Sequence, residues 1–202
     1  MTWRVAWVAA LIGAATLVAC KGERPTTIPP APKESRAPPP CERIVAITVT
    51  KRARQLRAFC EGGRVVALNV ALGRGSAGPK RREGDARTPE GYYEISGPPR
   101  ASRFHVFIPL DYPSISDAEL ARTDGRVSEV DYQRIIDAHV HDDQPPGDTA
   151  LGGQIGLHGE GKRWRGDSRH EDWTLGCVGL ADADVDFLAT RSAIGTPVLI
   201  EP

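Results

Sequence analysis

The chain has 202 residues, of which 40 % are hydrophobic, so it is long enough for one domain of ordinary size with its own core. Its 26 basic residues balance its 26 acidic residues, and the formal net charge is zero. This balance excludes the broad positive field by which many proteins attract nucleic acid.

The N-terminal segment has the features of an export signal. An apolar run from Val5 to Ala19 follows Arg4, and it is shorter than the roughly 20 residues that a membrane-spanning helix needs. The closing segment Leu17-Val18-Ala19-Cys20 resembles the signal of bacterial lipoproteins, in which a peptidase cuts before the cysteine and the sulfur receives a diacylglycerol. We therefore expect residues 1–19 to be a signal peptide and Cys20 to be the lipidated N-terminus. A plain secretory signal with an incidental cysteine is the alternative.

Residues 20–40 are expected to form a linker. Residues 21–40 contain seven prolines and almost no large apolar side chains, so this stretch cannot bury enough surface to fold and stays extended. The folded domain is expected over residues 41–202. The lipoprotein resemblance places it in the periplasm or at the cell surface, and Lys21, which is not acidic, favours the outer over the inner membrane if the cell has two membranes.

Three cysteines remain after Cys20, an odd number in an oxidising compartment. A strand-like run follows Cys41, and a second run ends at Cys60 after a polar turn at residues 51–54. A hairpin would bring these two cysteines opposite each other, within disulfide reach. We predict a Cys41–Cys60 bridge, with two free thiols as the alternative, which leaves Cys177 unpaired.

Further strands are predicted at residues 64–72, 91–95, 104–108 and 197–200, from their β-branched and aromatic residues. Helical patterns cover residues 116–122, 129–138 and 182–192, and Asp182 is expected to cap the last of these. The predicted fold is mostly β with short helices. The basic clusters at residues 51–54 and 80–82 are predicted to be solvated loop faces.

Several motifs suggest a cofactor or a metal, but each lacks a required element. Gly73 to Gly78 matches a dinucleotide-binding glycine pattern, yet no apolar helix follows it. His158-Gly159-Glu160 lacks the cysteine pair that zinc deaminases need. His139 and His141 are more simply explained as a helix end whose histidines favour the C-terminal dipole. We therefore predict neither a cofactor nor a metal.

An ordered series of motifs carries a family resemblance. Its first part runs through Gly73, Lys80, Gly84-Asp85, Thr88-Pro89, Gly91-Tyr92, Ser102-Arg103-Phe104-His105 and Asp111-Tyr112-Pro113. It ends at His158-Gly159 and Thr174-Leu175-Gly176-Cys177-Val178. Over residues 43–202 this order resembles the L,D-transpeptidase catalytic domain of bacterial cell-wall enzymes, in the branch with an Asp-Trp-Thr-x-Gly-Cys segment. The resemblance implies a β-sandwich catalytic domain.

In that family the cysteine is the nucleophile and the histidine is its base, which implies these roles for Cys177 and His158. An unperturbed thiol is only a few per cent ionised at neutral pH, so it needs such a base. The base in turn needs an orienting acceptor, and we expect the Gly159 carbonyl to supply it. Backbone N–H groups around Leu175, Gly176 and Cys177, with Gly176 permitting the required conformation, are expected to bind the oxyanion.

Two positions depart from the usual family pattern. Leu175 stands where a histidine is common, and Gly179 stands where an arginine usually contacts the substrate carboxylate. Arg163, Arg165 or Arg169 is our candidate to replace that arginine, and Trp173 and Thr174 are further candidate substrate contacts.

The resemblance implies a substrate and partners. Cys177 would attack the diaminopimelate carbonyl of a peptidoglycan tetrapeptide stem, release D-alanine and hold the stem as a thioester. An amine from a second stem or from a wall-anchored lipoprotein would then accept it. The alternatives are a carboxypeptidase or amidase that uses the same residues, and a non-catalytic wall-binding lipoprotein.

Overall fold

A computed structural model describes residues 40–75, 77–162 and 171–202. All of them belong to a compact unit that runs from Ala37 to Pro202. The predicted signal peptide, the lipidated Cys20 and the linker up to residue 39 lie outside the described residues. The same holds for Arg163, Arg165 and Arg169.

Five strands form the larger sheet of the described chain. They are β1 (Ile44–Thr50), β2 (Gln55–Cys60), β3 (Val65–Asn69), β4 (Gly91–Glu94) and, near the C-terminus, β9 (Pro197–Glu201). Their order in the sheet is β3-β2-β1-β9-β4. The β1–β9 pair is parallel and the other pairs are antiparallel. The buried residues of β1 alternate along much of the strand, as expected when one face of a sheet packs on a core.

The β1–β2 hairpin brings the ends of its strands together at a disulfide. Ile44 pairs with Cys60, and the Cα atoms of Cys41 and Cys60 lie 5.3 Å apart in a Cys41–Cys60 disulfide bond. Cys177 is the free cysteine of the described residues. The disulfide thus links the segment before β1 covalently to the end of β2.

A smaller sheet carries the strands that lie next to the candidate site. It contains β5 (Arg100–Ser102), β6 (His105–Pro109), β7 (Gly156–His158) and β8 (Val178–Gly179), in that order. The β7–β8 pair is parallel. Strands β5, β7 and β8 were not predicted from the sequence because each has only two or three residues, and β7 and β8 contain glycine.

Three short helices complete the described fold: α1 (Ile115–Thr123), α2 (Glu129–Val140) and α3 (Asp182–Ala189). Ser114 and Ser128 cap α1 and α2 by accepting hydrogen bonds from backbone N–H groups. The predicted cap at Asp182 is wrong, because the N-cap of α3 is Ala181, which makes no side-chain capping bond. The Asp182 carboxylate instead accepts hydrogen bonds from the loop after β7.

The prediction that both basic clusters are solvated is wrong for two lysines. Lys51 donates from Nζ to the carbonyls of Gly78 and Thr88 and to the Glu90 carboxylate, at 2.7–2.9 Å. The Lys80 side chain is only 4 % exposed and lies 3.0 Å from an Asp85 oxygen. Lys51 therefore links residues 78–90 to the turn after β1, whereas Lys80 makes its contacts within its own loop, to Asp85 and to the Arg82 carbonyl.

The hydrophobic core is built from residues of both sheets and of the helices. Its members include Ile47, Leu56, Ile108, Ile135, Leu157, Leu188 and Ile200. Two sheets with three short helices confirm the predicted mostly-β fold. Among the described residues, no helix combines the length and the apolar character required to cross a membrane.

Candidate active site

The β7–β8 pair brings Cys177 and His158 to the same face of the small sheet. Leu157 pairs with Val178, and both are fully buried on the core side. Because side chains alternate along a strand, His158 and Cys177, which directly precedes β8, lie on the opposite face. Both residues line one cleft with a volume of about 1220 Å³.

The segment that ends at Cys177 is held on both sides by its neighbours. Thr174 N donates to Leu72 O at 3.1 Å, and Gly179 N donates to Ala71 O at 2.8 Å. Asp172 accepts from the Leu72 N–H at 3.0 Å and from the Arg54 guanidinium through two hydrogen bonds. This arrangement fixes the backbone on either side of Cys177.

A tight turn sets the conformation of residues 174–177. Gly176 has φ +135°, and a Cβ atom there would lie 2.8 Å from the Arg87 carbonyl oxygen. The Thr174 hydroxyl donates to Cys177 O at 2.7 Å and accepts from the Gly176 N–H at 3.1 Å. Because the Gly176 N–H already has this acceptor, an oxyanion site in this turn would draw on the neighbouring N–H groups of Leu175 and Cys177.

His158 is buried between two aromatic rings. Its ring stacks on Phe104 with centroids 4.7 Å apart and meets Trp173 edge-on at 5.3 Å. Its Nδ1 atom lies 2.7 Å from the Gly159 carbonyl oxygen. Since a carbonyl only accepts, Nδ1 carries a proton and the neutral ring keeps Nε2 as its basic atom.

The surroundings favour neutral forms of both groups at rest. Burial lowers the pKa of His158, the Gly159 carbonyl opposes this effect, and the Arg103 charge adds to it. Burial also raises the pKa of the Cys177 thiol to about 11, although a hydrogen bond from the Gly156 backbone and the Lys80 charge act against it. The Cys177 thiol further donates to the Gln154 carbonyl at 3.5 Å. A nucleophilic Cys177 would therefore need a base to take its thiol proton, because no thiolate–imidazolium pair is favoured at rest.

We expect Cys177 to react slowly with iodoacetamide at pH 7. A pKa of about 11 instead of the usual 9.0 leaves about a hundredfold less thiolate, and the rate should rise until pH approaches 11. Alkylation of the Cys177 peptide, measured by mass spectrometry between pH 5 and 11 beside N-acetylcysteine, checks this. A rate that is already maximal at pH 6 would instead show a thiolate–imidazolium pair.

The rim of the cleft is basic. Arg74, Arg100, Arg103 and Lys162 line it, with Asp182 as the acidic residue among its described lining. The Arg100 guanidinium lies 4.7 Å from the centroid of Phe107, and that of Arg103 lies 4.7 Å from the centroid of Phe104. Leu175 also lines the cleft and is 64 % exposed, so it offers an apolar contact close to Cys177. This composition suits a peptide that carries carboxylates.

Trp173 explains why residue 179 is a glycine. A Cβ atom at Gly179 would lie 2.9 Å from Cζ2 of Trp173 and 3.3 Å from Cγ2 of Thr174. Both of these side chains are at least 93 % buried, Trp173 being 7 % and Thr174 3 % exposed. They support the wall of the site, and Trp173 fills the space that a side chain at residue 179 would need.

We expect Gly179→Arg to lower the free energy of unfolding by about 1–3 kcal/mol, because the new side chain must displace a packed ring. The same change in a Trp173→Ala background should cost less, since the obstructing ring is gone. Urea unfolding of the four proteins in this double-mutant cycle measures the difference. Equal costs in both backgrounds would show that Trp173 is not the obstacle.

The sequence analysis assigned no role in the site to Gln154, Phe104 or Asp182. Gln154 has φ +55°, and its backbone carbonyl accepts a hydrogen bond from the Cys177 thiol. No side-chain pattern in the sequence indicates such a contact. Away from the cleft, Nε2 of His139 lies 2.9 Å from the Pro113 carbonyl oxygen. The described residues contain no group of three or more His, Cys, Asp or Glu side chains arranged to hold a metal.

The family model for the L,D-transpeptidase catalytic domain (YkuD) matches residues 44–200. No curated protein sequence matches the chain.

Similar solved structures include three L,D-transpeptidases. The one from Mycobacterium smegmatis is 10 % identical with a TM-score of 0.46, covering 79 % of this chain and 59 % of that chain. The one from Mycobacterium tuberculosis H37Rv is 12 % identical with a TM-score of 0.47, covering 79 % and 58 %. The one from Enterococcus faecium is 13 % identical with a TM-score of 0.45, covering 78 % and 50 %. The chain thus spans between half and three fifths of the length of these proteins.

Proposed function

This chain belongs to the L,D-transpeptidase catalytic domain family, and from that premise we propose that it is a cysteine acyltransferase acting on the peptide stems of peptidoglycan. The observation that carries the proposal is the placement of Cys177 and His158 on one face of the β7–β8 pair, in one basic cleft. Neither a cofactor nor a metal is needed for this chemistry.

The reaction proceeds in two acyl transfers. His158 Nε2 takes the thiol proton as Cys177 Sγ attacks the diaminopimelate carbonyl of a tetrapeptide stem. The tetrahedral intermediate collapses, D-alanine leaves with the proton from His158, and the stem remains on Cys177 as a thioester. An acceptor amine then attacks the thioester, His158 accepts its proton, and a new amide forms as the thiol is restored. The acceptor is an amine of a second stem or of a wall-anchored lipoprotein.

With Gly179 in place of an arginine, we propose that the basic rim binds the stem carboxylates. Arg74 lines the cleft next to Thr174, because the Arg74 backbone N–H donates to the Thr174 carbonyl oxygen at 3.0 Å. Arg163, Arg165 and Arg169 stay candidates for the same contact. Trp173 and Thr174 are proposed to act by shaping the wall on which the stem lies.

Incubation of the Cys20→Ser protein with purified disaccharide-tetrapeptide tests the function. We expect a thioester adduct on Cys177, and either crosslinked dimer or tripeptide, in the products separated by mass spectrometry. Cys177→Ala is the matched blank. Dimer identifies a transferase, whereas tripeptide alone identifies a carboxypeptidase. Stem binding without adduct or product would contradict an enzymatic role and favour a wall-binding protein.

We propose a periplasmic location, with Cys20 lipidated and the chain anchored at the outer membrane. The support is the sequence Leu17-Val18-Ala19-Cys20 after an apolar run, followed by a proline-rich linker. Treatment of expressing cells with globomycin should block processing and leave a longer precursor. Normal processing in its presence would contradict lipidation.

A further inference from the structure

One peptide group lies between His158 and a carboxylate. His158 Nδ1 donates to the Gly159 carbonyl at 2.7 Å. The N–H of that same peptide group belongs to Glu160, and it donates to Asp182 Oδ1 at 2.9 Å. The Gly161 N–H donates to the same oxygen, also at 2.9 Å. Carboxylate, peptide and imidazole are therefore connected in series by hydrogen bonds.

The local structure brings Asp182 into this position. Asp182 is the first residue of α3, and it makes no capping bond to its own helix. A Cβ atom at Gly159 would lie 2.5 Å from Asp182 Oδ1 and 2.8 Å from the Phe104 carbonyl oxygen. Only glycine at residue 159 lets the peptide approach both groups this closely.

A carboxylate that accepts from a peptide N–H polarises that peptide. Hydrogen bonds to a charged acceptor are about twice as strong as neutral ones, and connected hydrogen bonds strengthen each other. The Gly159 carbonyl consequently becomes a better acceptor for the Nδ1 proton, most of all when His158 is positively charged. In a Ser-His-Asp triad the carboxylate supports the imidazolium directly, whereas here a peptide group stands between them.

We propose that Asp182 is a positioning residue that orients and polarises the Gly159–Glu160 peptide group and through it supports His158 as the catalytic base. No proton moves along this series. His158 keeps its Nδ1 proton while Nε2 gains and loses the thiol proton. The effect on turnover rests on the proposed function, whereas the effect on the His158 ring does not.

Other charges near these groups must be separated from this effect. Arg103 lowers the pKa of His158, and Asp186 and Asp182 both raise that of His105. The titratable and charged groups around His158 and Asp182 on the loop, the strands and α3 are Cys177, Arg103, His105, Glu160, Lys162, Asp184 and Asp186. A control must therefore remove one negative charge from the same helix without touching the peptide group.

The test compares Asp182→Asn with Asp186→Asn. Asparagine at residue 182 keeps an oxygen that accepts both N–H groups but removes the charge. Asp186 lies one helical turn further along α3 and pairs with His105 at 2.9 Å, so Asp186→Asn is the matched control. We expect Asp182→Asn to lower kcat about tenfold with KM changed less than twofold, and to move the acidic limb of kcat/KM to lower pH. Asp186→Asn should leave both near wild type.

Nitrogen NMR of the labelled His158 ring in the full chain gives a readout that needs no substrate. The His158 titration should move to lower pH in Asp182→Asn and not in Asp186→Asn. Equal shifts in both variants, or no shift in either, would overturn the proposal. Should Asp182→Asn fail to fold, the wild-type Glu160 amide proton decides, since rapid exchange with solvent would overturn the proposal as well.

These outcomes separate the inference from the proposed function. If stems are not turned over but the His158 titration shifts only in Asp182→Asn, the role of Asp182 stands and the proposed function fails. If turnover depends on Cys177 and His158 while Asp182→Asn behaves like Asp186→Asn, the role of Asp182 alone fails.

Discussion

Replacing His158 by alanine is expected to reduce kcat/KM on stem substrates by on the order of 10³–10⁴-fold at pH 7. Without the base, only thiolate already present can attack. With the Cys177 pKa at about 11, that form is about one molecule in ten thousand at pH 7. The size of this loss agrees with the contribution of about 10²–10⁴ that general bases make in other enzymes.

The pH dependence of the rate should differ between wild type and His158→Ala. In wild type the rate should fall only below the pH at which His158 becomes protonated, and burial moves that pKa below its usual range. In His158→Ala the rate should instead rise about tenfold per pH unit up to about pH 11, following the thiolate of Cys177. Stopped assays of product by mass spectrometry across this range measure it.

Two further variants test whether the loss of rate comes from the missing imidazole rather than from a cavity or from a change elsewhere in the protein. His158→Gln fills the space between Phe104 and Trp173 better than alanine, so a loss in both variants is not the result of a cavity alone. His141→Ala removes an exposed histidine at the end of α2 and should keep wild-type turnover. A His158→Gln protein that folds and retains a tenth of the wild-type rate would show that another group is the base.

The strands with strong patterns could be predicted from the sequence. Residues 44–50 are rich in β-branched residues, a polar turn separates them from residues 55–60, and cysteines flank the pair; both strands and the disulfide are found in the structure. Strands β7 and β8 escaped prediction because their pairing comes from partners distant in sequence, such as Ile108 opposite Leu157. The site lies on these two strands, so its geometry could not be derived from local pattern.

Charged residues were harder to place than apolar ones. A lysine in a run of basic residues is usually solvated, but burial of a charge depends on partners that the local sequence does not specify. Lys51 finds Glu90, which lies 39 positions further along the chain. Asp182 follows the same rule, because local pattern suggests a helix cap whereas the fold presents it with two loop N–H groups.

Replacing Asp85 by alanine is expected to lower the free energy of unfolding by about 3–5 kcal/mol. Asp85 accepts from the backbone N–H groups of Arg81, Arg82 and Arg87 at 2.7–3.1 Å and from the Lys80 ammonium at 3.0 Å. Its side chain is 10 % exposed and that of Lys80 is 4 % exposed, so alanine leaves a buried charge without its carboxylate. Urea unfolding measures the loss.

The loss should extend to the candidate active site, because residues 80–87 lie against the turn at residues 174–177. The Arg87 carbonyl oxygen would lie 2.8 Å from a Cβ atom at Gly176, and the Lys80 charge lowers the pKa of Cys177. Lys80→Met should cost less stability than Asp85→Ala, since Asp85 keeps its three backbone donors. Asp148→Ala, which removes an exposed ion pair with Arg134, should leave the unfolding midpoint unchanged. A larger cost for Lys80→Met would contradict the role assigned to the backbone donors.

The pH dependence of stability gives a second test of the Asp85 carboxylate. Burial acts to raise its pKa, but the hydrogen bonds from Arg81, Arg87, Lys80 and Arg82 outweigh burial and bring the pKa of Asp85 to about 2, below its usual 3.8. A group whose pKa is lower in the folded protein stabilises it above the unfolded pKa, and this contribution disappears as the pH falls towards the folded value. Asp85→Asn removes that contribution, so its stability deficit of about 2 kcal/mol from this source at pH 6 should shrink between pH 4 and pH 2. A deficit that stays constant over this interval would mean that Asp85 does not bind its proton differently in the folded and unfolded chains.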